Sequence, residues 1–390
     1  MSDSEQTLRH TLDKILDRRK YTRRDVRIKE ISSGGSNFTS ALFLVDVTAP
    51  DKEDLKLFAK VGCIKNEMRK IMNADWLYNT ERYVYTELIG IYEKIQDEHN
   101  IKGEKRFAFP KFYGYNAEVG KETIVVENLT EAGYRSFNRH KCVDWDTARV
   151  SVENLAKFHA LSFAFERKYP EKFNRDVPNM KFRMGSDEED KDNMKPVWIK
   201  MVEGSVSSLE GDQKEKVLGF LMNEELLKMY NKPNGKPVIC HGDYRLSNLL
   251  FKGQGENLTV HTVDFQTVYG GCPASDLIYF IFLGSDEAFR DRYYQKLLDH
   301  YYSSLEEALR RLDIEPVDVY PKEKFDSDIK QVLPFAVLLG VIILPIITVE
   351  AQNAPRVDGD LEDFILEPTE LYAQRFRGIV NDCFKLGAFE

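Results

Sequence analysis

The sequence changes its periodicity near residue 130, and that change divides the chain into two unlike halves. Between about 24 and 129, apolar residues recur in alternation, as in VRIKEIS, ALFLVDVT, LKLFAKVG and ETIVVENL, with turn residues between the runs. Alternation puts successive side chains on opposite faces and marks strands. FAFPKFYGYN adds one more β-rich run. The segment ADWLYNTERYVYTELIGIYEKIQDE, in contrast, is rich in residues that suit a helix interior. These runs predict a small antiparallel sheet carrying one helix. Beyond 130 the pattern is helical, as in DTARVSVENLAKFHALSFAFERKY and over much of 275–312, with a strand-rich island at 236–268. The expected fold class is α+β: an N-terminal lobe over 1–127, a larger, mainly α-helical C-terminal lobe over 128–390, and a hinge near 127–130.

Other features bound the chain further. At 390 residues it exceeds what one hydrophobic core usually serves, which agrees with two lobes. A net charge of −9 argues against a nucleic-acid-binding surface. The five cysteines are odd in number and show no metal-binding spacing. They read as free, mostly buried thiols in a reducing, cytoplasmic setting. The opening MSDSEQTLRHTLDKILDRRKYTRRD has no apolar core of the signal-peptide kind. It places Leu8, Leu12, Ile15 and Leu16 at helical spacing and predicts an amphipathic lead-in helix. Residues 332–349 form an uncharged run of eighteen, at the lower edge of a membrane span. Pro334, Gly340 and Pro345 interrupt it, and no cluster of Lys or Arg flanks it, so a buried helix or helix pair is expected.

The chemistry is concentrated in VICHGDYRLSNLLF, residues 238–251, and in the hairpin that follows. Asp243 precedes Asn248 by five positions, the spacing found in kinase catalytic loops. One turn can then present Asp243 to a hydroxyl while Asn248 reaches a metal. Asp264, at the end of the returning strand LTVHTV, adds a hard oxygen ligand suited to Mg²⁺. Phosphoryl transfer also needs a cation on the phosphate oxygens and backbone donors over them. Lys60, inside the apolar LKLFAKVG, is the candidate cation, with Glu81 on the next helix as its partner. An exposed lysine is the alternative. The turn SSGGSNFTS brings Gly34, Gly35, Ser36 and Asn37 between two strands, where a backbone can approach a phosphate closely. An ordinary hairpin would use the same residues.

The stretches GGSNFTSALF, FAKV, TERYVY, VVENL, LAKFHALSFA, HGDYRLSNLLF and VDFQTVYGGCPASDLIYFIF together resemble the choline kinase and aminoglycoside phosphotransferase superfamily. Within it the chain looks like the ecdysteroid kinase-like family, over roughly 30–350. The resemblance implies a two-lobed protein-kinase-like fold, ATP and Mg²⁺, and a small-molecule alcohol as acceptor, such as an ecdysteroid-like sterol or a lipophilic xenobiotic. It implies no protein partner. Carried over, it makes Asp243 the catalytic base, Asn248 and Asp264 the metal ligands and Lys60 the phosphate contact braced by Glu81. The backbone of Glu127 to Leu129 would meet adenine. The family's common HGD-L-W-x-N-N loop is altered here by Tyr244, Arg245 and Ser247, and ENL replaces EDL at the hinge.

Neighbouring residues have quieter readings. His159 is expected to be a packed helix histidine and His241 a brace of the loop. Asp276 is expected to be a helix N-cap that also steadies that loop. Gln266 has no role derivable from sequence. Phe182, Met184, Trp198 and Met201 either line an acceptor pocket or belong to the core. The rival functions are a pseudokinase or ligand carrier of the same fold, a metallophosphoesterase and a protein kinase. The seven unclustered histidines disfavour the phosphoesterase, and the lack of an activation segment after Asp264 disfavours the protein kinase.

Overall fold

The computed structural model describes residues 2–32, 39–64, 66–181, 188–224, 235–354 and 361–389. The lead-in helix α1 spans Asp3–Arg18, and the Ser2 hydroxyl caps it by accepting from the Glu5 amide at 3.2 Å. Asp3 and Glu5 lie in its first turn, where negative charge complements the helix dipole. Five antiparallel strands follow: β1 (Asp25–Ile31), β2 (Ser40–Thr48), β3 (Leu55–Gly62), β4 (Phe112–Asn116) and β5 (Thr123–Glu127). They are ordered β1-β2-β3-β5-β4, which puts β3 at the centre. Between β3 and β4 run α2 (Asn66–Ile71), α3 (Ala74–Tyr83), a π-helical turn (Val84–Leu88) and α4 (Ile89–Glu98).

The two faces of this sheet have different covers. Phe43, Val45 and Val47 of β2, Leu57, Ala59 and Val61 of β3, and Val125 of β5 form a core with Leu8, Leu12, Ile15 and Leu16 of α1. Each of these side chains except Ala59 contributes roughly 1.5–3 kcal/mol when buried. The helix lies close on the strands: a Cβ at Gly114 would meet Ile15 Cγ1 at 2.7 Å. The opposite face carries Phe58, Lys60 and Ile124 toward α3 and the second lobe, with Lys60 paired directly with Ile124 across β3 and β5.

The C-terminal half begins with β6 (Arg135–Ser136) and the long α5 (Trp145–Lys168), capped by Asp144, whose Oδ1 accepts from the Thr147 amide at 2.8 Å. Helices α6 (Pro170–Asp176), α7 (Glu188–Val206) and α8 (Gly211–Leu221) follow. The strand island consists of β7 (Val238–Cys240), β8 (Leu249–Lys252), β9 (Thr259–Thr262) and β10 (Tyr269–Gly271). β7 pairs with β10, and β8 lies between β6 and β9. Then come α9 (Pro273–Gly284), α10 (Glu287–Arg310), α11 (Pro316–Val319), α12 (Lys322–Val332), α13 (Phe335–Ile342), α14 (Leu344–Thr348) and α15 (Glu370–Lys385). Every residue of α9 is buried, and α5 packs along α10.

The apolar run 332–349 becomes the helix pair α13 and α14, entered through Pro334 and broken before Pro345. No helix among the described residues is long and apolar enough to cross a membrane. The larger core joins the two halves. It includes Tyr85, Leu88, Tyr92 and Ile95 from the first and Leu155, Phe158, Phe265 and Leu277 from the second. The structure is thus the α+β, two-lobed arrangement expected, with one shared core, a second under α1 and a small third around Ile64, Ala74, Leu77 and Tyr78.

Candidate active site

Lys60, Glu81 and Asp264 come together from three separate elements. The Lys60 Nζ donates to Glu81 Oε1 at 3.1 Å and Oε2 at 3.0 Å, and to Asp264 Oδ1 at 2.6 Å. The three side chains are 11%, 3% and 16% exposed, so the charges are largely withdrawn from water. Burial alone would push the Lys60 ammonium down, but Asp264 and Glu81 outweigh it and hold its pKa above the lysine range. Burial likewise pushes Glu81 up, against the pull of Lys60. Asp264 is also penalised by burial, yet Lys60, helped by Arg245 and His241, keeps its carboxyl below the ordinary range. Asp264 has φ +67°, a left-handed conformation that costs a non-glycine residue energy and is concentrated at functional sites.

The second cluster lies on the loop after β7. Asn248, in the 3₁₀ turn Leu246–Asn248, donates Nδ2 to Asp243 Oδ2 at 2.8 Å and to the Asp243 carbonyl at 2.9 Å. Its Oδ1 is left as the amide's acceptor. Arg245 Nε lies 3.0 Å from Asp243 Oδ1, and the Tyr279 hydroxyl from α9 donates to that same oxygen. Sequence reasoning did not find Tyr279. The available signal was its spacing of three from Asp276, which sets both side chains on one helix face.

Asp276 organises the loop from below. Its Oδ2 accepts from the His241 amide at 2.6 Å and its Oδ1 from the Gly242 amide at 2.9 Å. The expected N-cap role is a misreading: Cys272 is the N-cap, Pro273 starts the helix and Asp276 lies inside the first turn. Its carboxylate is therefore directed to the loop instead of the helix's own amides. His159 Nε2 lies 3.1 Å from Asp276 Oδ2, and its Nδ1 lies 2.6 Å from the Tyr301 hydroxyl, so this fully buried histidine acts as a brace. His241 Nε2 donates to the Val263 carbonyl at 3.2 Å, leaving Nδ1 to accept from the Asp243 amide at 3.3 Å. Between them Gly242 has φ +81°, and a Cβ there would fall 2.2 Å from the Thr267 carbonyl oxygen. Only glycine fits that turn.

An aromatic column links the clusters to the sheet. Phe112 of β4 stacks on Tyr85 with centroids 5.4 Å apart, and Tyr85 meets Phe265 edge-on at 6.0 Å. Phe265 then contacts the His241 ring at 5.3 Å. Phe265 follows Asp264 in the chain, so this packing fixes the backbone that presents the carboxylate. Gln266, the next residue, accepts from the Thr39 hydroxyl at 3.1 Å. That bond ties Thr39, just before β2, to the Asp264 segment and gives Gln266 the role its sequence did not reveal.

Gly34, Gly35, Ser36 and Asn37 lie outside the described residues, as do Phe182 and Met184. Glu127 ends β5; its Oε1 accepts from the Lys111 amide at 2.7 Å, and its own amide donates to the Lys111 carbonyl at 2.9 Å. Leu129 is buried, and its amide donates to no described residue. Trp198 and Met201 pack against the large core, and Trp198 Nε1 donates to the Leu221 carbonyl at 3.2 Å, which favours their core reading. A cavity of about 90 Å³ reaches Lys60 and Glu81 from the side of Gly62, Tyr78, Asn116 and Thr123. Neither Asp243 nor Leu129 lines it, so it is a recess beside α3 and not a cleft reaching the 243–248 loop.

No curated protein matches the chain in sequence. Among solved structures it is similar to a microcompartment-associated aminopropanol kinase, at TM-score 0.47 and 12% identity, covering 94% of each chain. It is also similar to the Plasmodium vivax ethanolamine kinase, at TM-score 0.40 and 13% identity, covering 92% of this chain and 82% of that one. The sequence pattern of the ecdysteroid kinase-like family matches residues 34–314, well over half of the chain. The chain belongs to the ecdysteroid kinase-like family.

Proposed function

We propose that the protein is an ATP-dependent phosphotransferase that phosphorylates a hydroxyl of a lipophilic alcohol, an ecdysteroid-like sterol or a xenobiotic. The observation that carries this reading is the pair of buried clusters: Lys60–Glu81–Asp264, assembled from residues distant in sequence, and Asp243–Asn248–Arg245, held within one loop. Lys60 and Glu81 supply a braced cation for the phosphates. Asn248 Oδ1 and the Asp264 carboxylate are hard oxygen donors, and Asn248 is oriented by spending its amide hydrogens on Asp243. Those donors fit Mg²⁺, which when bound would supply charge neutralisation between the phosphates. The Leu129 amide, which donates to no described residue, and the Glu127 carbonyl offer the polar edge that an adenine needs. The residues 34–37 belong in this proposal as the phosphate-covering turn.

Asp243 acts on the acceptor. It takes the proton of the attacking hydroxyl, while Tyr279 and Asn248 hold its carboxylate in one orientation. Positioning and electrostatics do most of the remaining work in phosphoryl transfer. The five unbridged cysteines suit a cytoplasmic setting. The test is an ATP-consumption screen of the purified protein against sterols and plant alcohols, read out by the acceptor's mass. Gain of one phosphate on a lipophilic alcohol is the expected result. ATP binding with no transfer to any acceptor would favour a pseudokinase.

A further inference from the structure

Arg245 lies two residues after Asp243, and its surroundings are those of a working charge. Its side chain is 11% exposed, and its Nε lies between both oxygens of Asp243, at 3.0 Å from Oδ1 and 3.1 Å from Oδ2. A guanidinium this far from water is costly unless close anions compensate it. Burial opposes its charge, but Asp243 and, at longer range, Asp264 sustain it. The cation therefore sits against the base, beside the place where the acceptor hydroxyl and the transferring phosphoryl group have to meet.

The carboxylate of Asp243 also already accepts from three side-chain donors, against about four lone-pair sites. Oδ1 receives the Tyr279 hydroxyl and Oδ2 receives Asn248 Nδ2, while Arg245 Nε spans the pair. A base needs a lone pair open to its substrate. Tyr279 comes from a fully buried helix and Asn248 from a tight turn, and Arg245 has the longest side chain of the three.

We propose that Arg245 is a catalytic residue of the transfer: it moves from Asp243 onto the oxygens of the γ-phosphoryl group, neutralising their charge and opening Asp243 to the acceptor hydroxyl. This rests on the kinase reading above. In the step, a lone pair of the acceptor oxygen forms the new O–P bond. The bond from phosphorus to the β,γ-bridging oxygen breaks, and its electron pair leaves with ADP. The hydroxyl proton passes to Asp243. Arg245 forms no covalent bond and keeps its protons. Its contribution is electrostatic and largest where charge is spread over the transferring group. A tryptophan at this position would keep the bulk and supply no such charge.

The experiment compares wild type, R245W and R245K, with thermal melts as controls. Calorimetry gives the affinities for Mg·ATP and for Mg·ADP with aluminium fluoride, a mimic of the transferring group, and phosphate release gives the slow hydrolysis of ATP with water as acceptor. R245W is expected to keep Mg·ATP affinity within about threefold, lose at least about tenfold for the mimic, and slow hydrolysis on the order of 10²-fold. R245K should fall between it and wild type, since lysine keeps the charge without the fork. Wild-type values for R245W on both the mimic and hydrolysis overturn the assignment. If R245W fails to fold, R245K decides: an intermediate loss is expected, and wild-type values overturn it. A wild-type protein that does not bind Mg·ATP overturns the kinase reading and this assignment together.

Discussion

Lys60 Nζ lies 2.6 Å from Asp264 Oδ1, so one ammonium joins the central strand of the sheet to the segment after β9. The same ammonium neutralises Glu81 on α3. Lys60→Met removes the cation from two buried carboxylates at once. Stranding a buried charge costs on the order of 3–5 kcal/mol, and the raised pKa of Glu81 moderates this by easing its protonation. We expect a clearly lower melting temperature and loss of turnover. Adding Glu81→Gln should recover part of the stability and none of the activity. A normal melt and normal kinetics for Lys60→Met would remove Lys60 from the site.

Asp264→Ala should abolish the Mg²⁺-dependent part of ATP binding, measured by calorimetry with and without the metal. The left-handed backbone at this position penalises alanine by roughly 1–2 kcal/mol, so Asp264→Asn is the companion variant, because asparagine tolerates that conformation. Undiminished Mg·ATP affinity in both would contradict the ligand role.

Asp243→Asn should lose on the order of 10²- to 10⁴-fold in kcat, the usual value of a positioned base. Its ATP affinity should stay within a few-fold, because its partner is the acceptor and not the nucleotide. The melt should change little, since asparagine nearly matches the shape. Full transfer activity, or an unfolded protein, would contradict the role.

Much of this site was legible because its chemistry is local in sequence. The Asp243–Asn248 interval predicts a turn with two polar ends, and the structure brings the two side chains within 2.8 Å. Lys60 was legible as an anomaly, a charge inside an apolar strand that required a partner. Asp264 as a second partner was not, because the contact spans 204 positions. The π-helical turn at Val84–Leu88 has no composition that separates it from the α-helical turns beside it, yet it seats Tyr85 against Phe265. Asp276 misled because an acid near a helix start has the same appearance whether it caps its own helix or another loop. The bond from Thr39 to Gln266 depends on how two lobes meet, and no local pattern records that.

Stability should fall in mild acid, with His241 as one contributor. Burial lowers its pKa below the ordinary 6.5, although Asp276, Asp243 and Asp264 pull the other way. Between the folded value and about 6.5 the unfolded chain therefore binds the extra proton. The stabilisation is full above about pH 6.5 and is lost as the pH falls through the folded value. Denaturant midpoints at pH 7.5 and 5.5 should differ more for wild type than for His241→Gln. Equal differences would show that the imidazole stays uncoupled from folding.

The helix α1 bears on how the protein can be handled. The recognisable family pattern begins at residue 34 and stops at 314, a tempting pair of cut sites for a shorter expression fragment. Such a fragment would lack α1 and the edge strand β1, and would present Phe43, Val45, Leu57 and Val61 as a bare apolar strip beside an unpaired strand edge. It would also lose α15, whose Phe376, Ile379 and Val380 belong to the large core. Sheets stripped in that way stick to one another. The span that sequence comparison recognises is thus narrower than the span that folds, and truncation at its borders would yield aggregate that says nothing about catalysis.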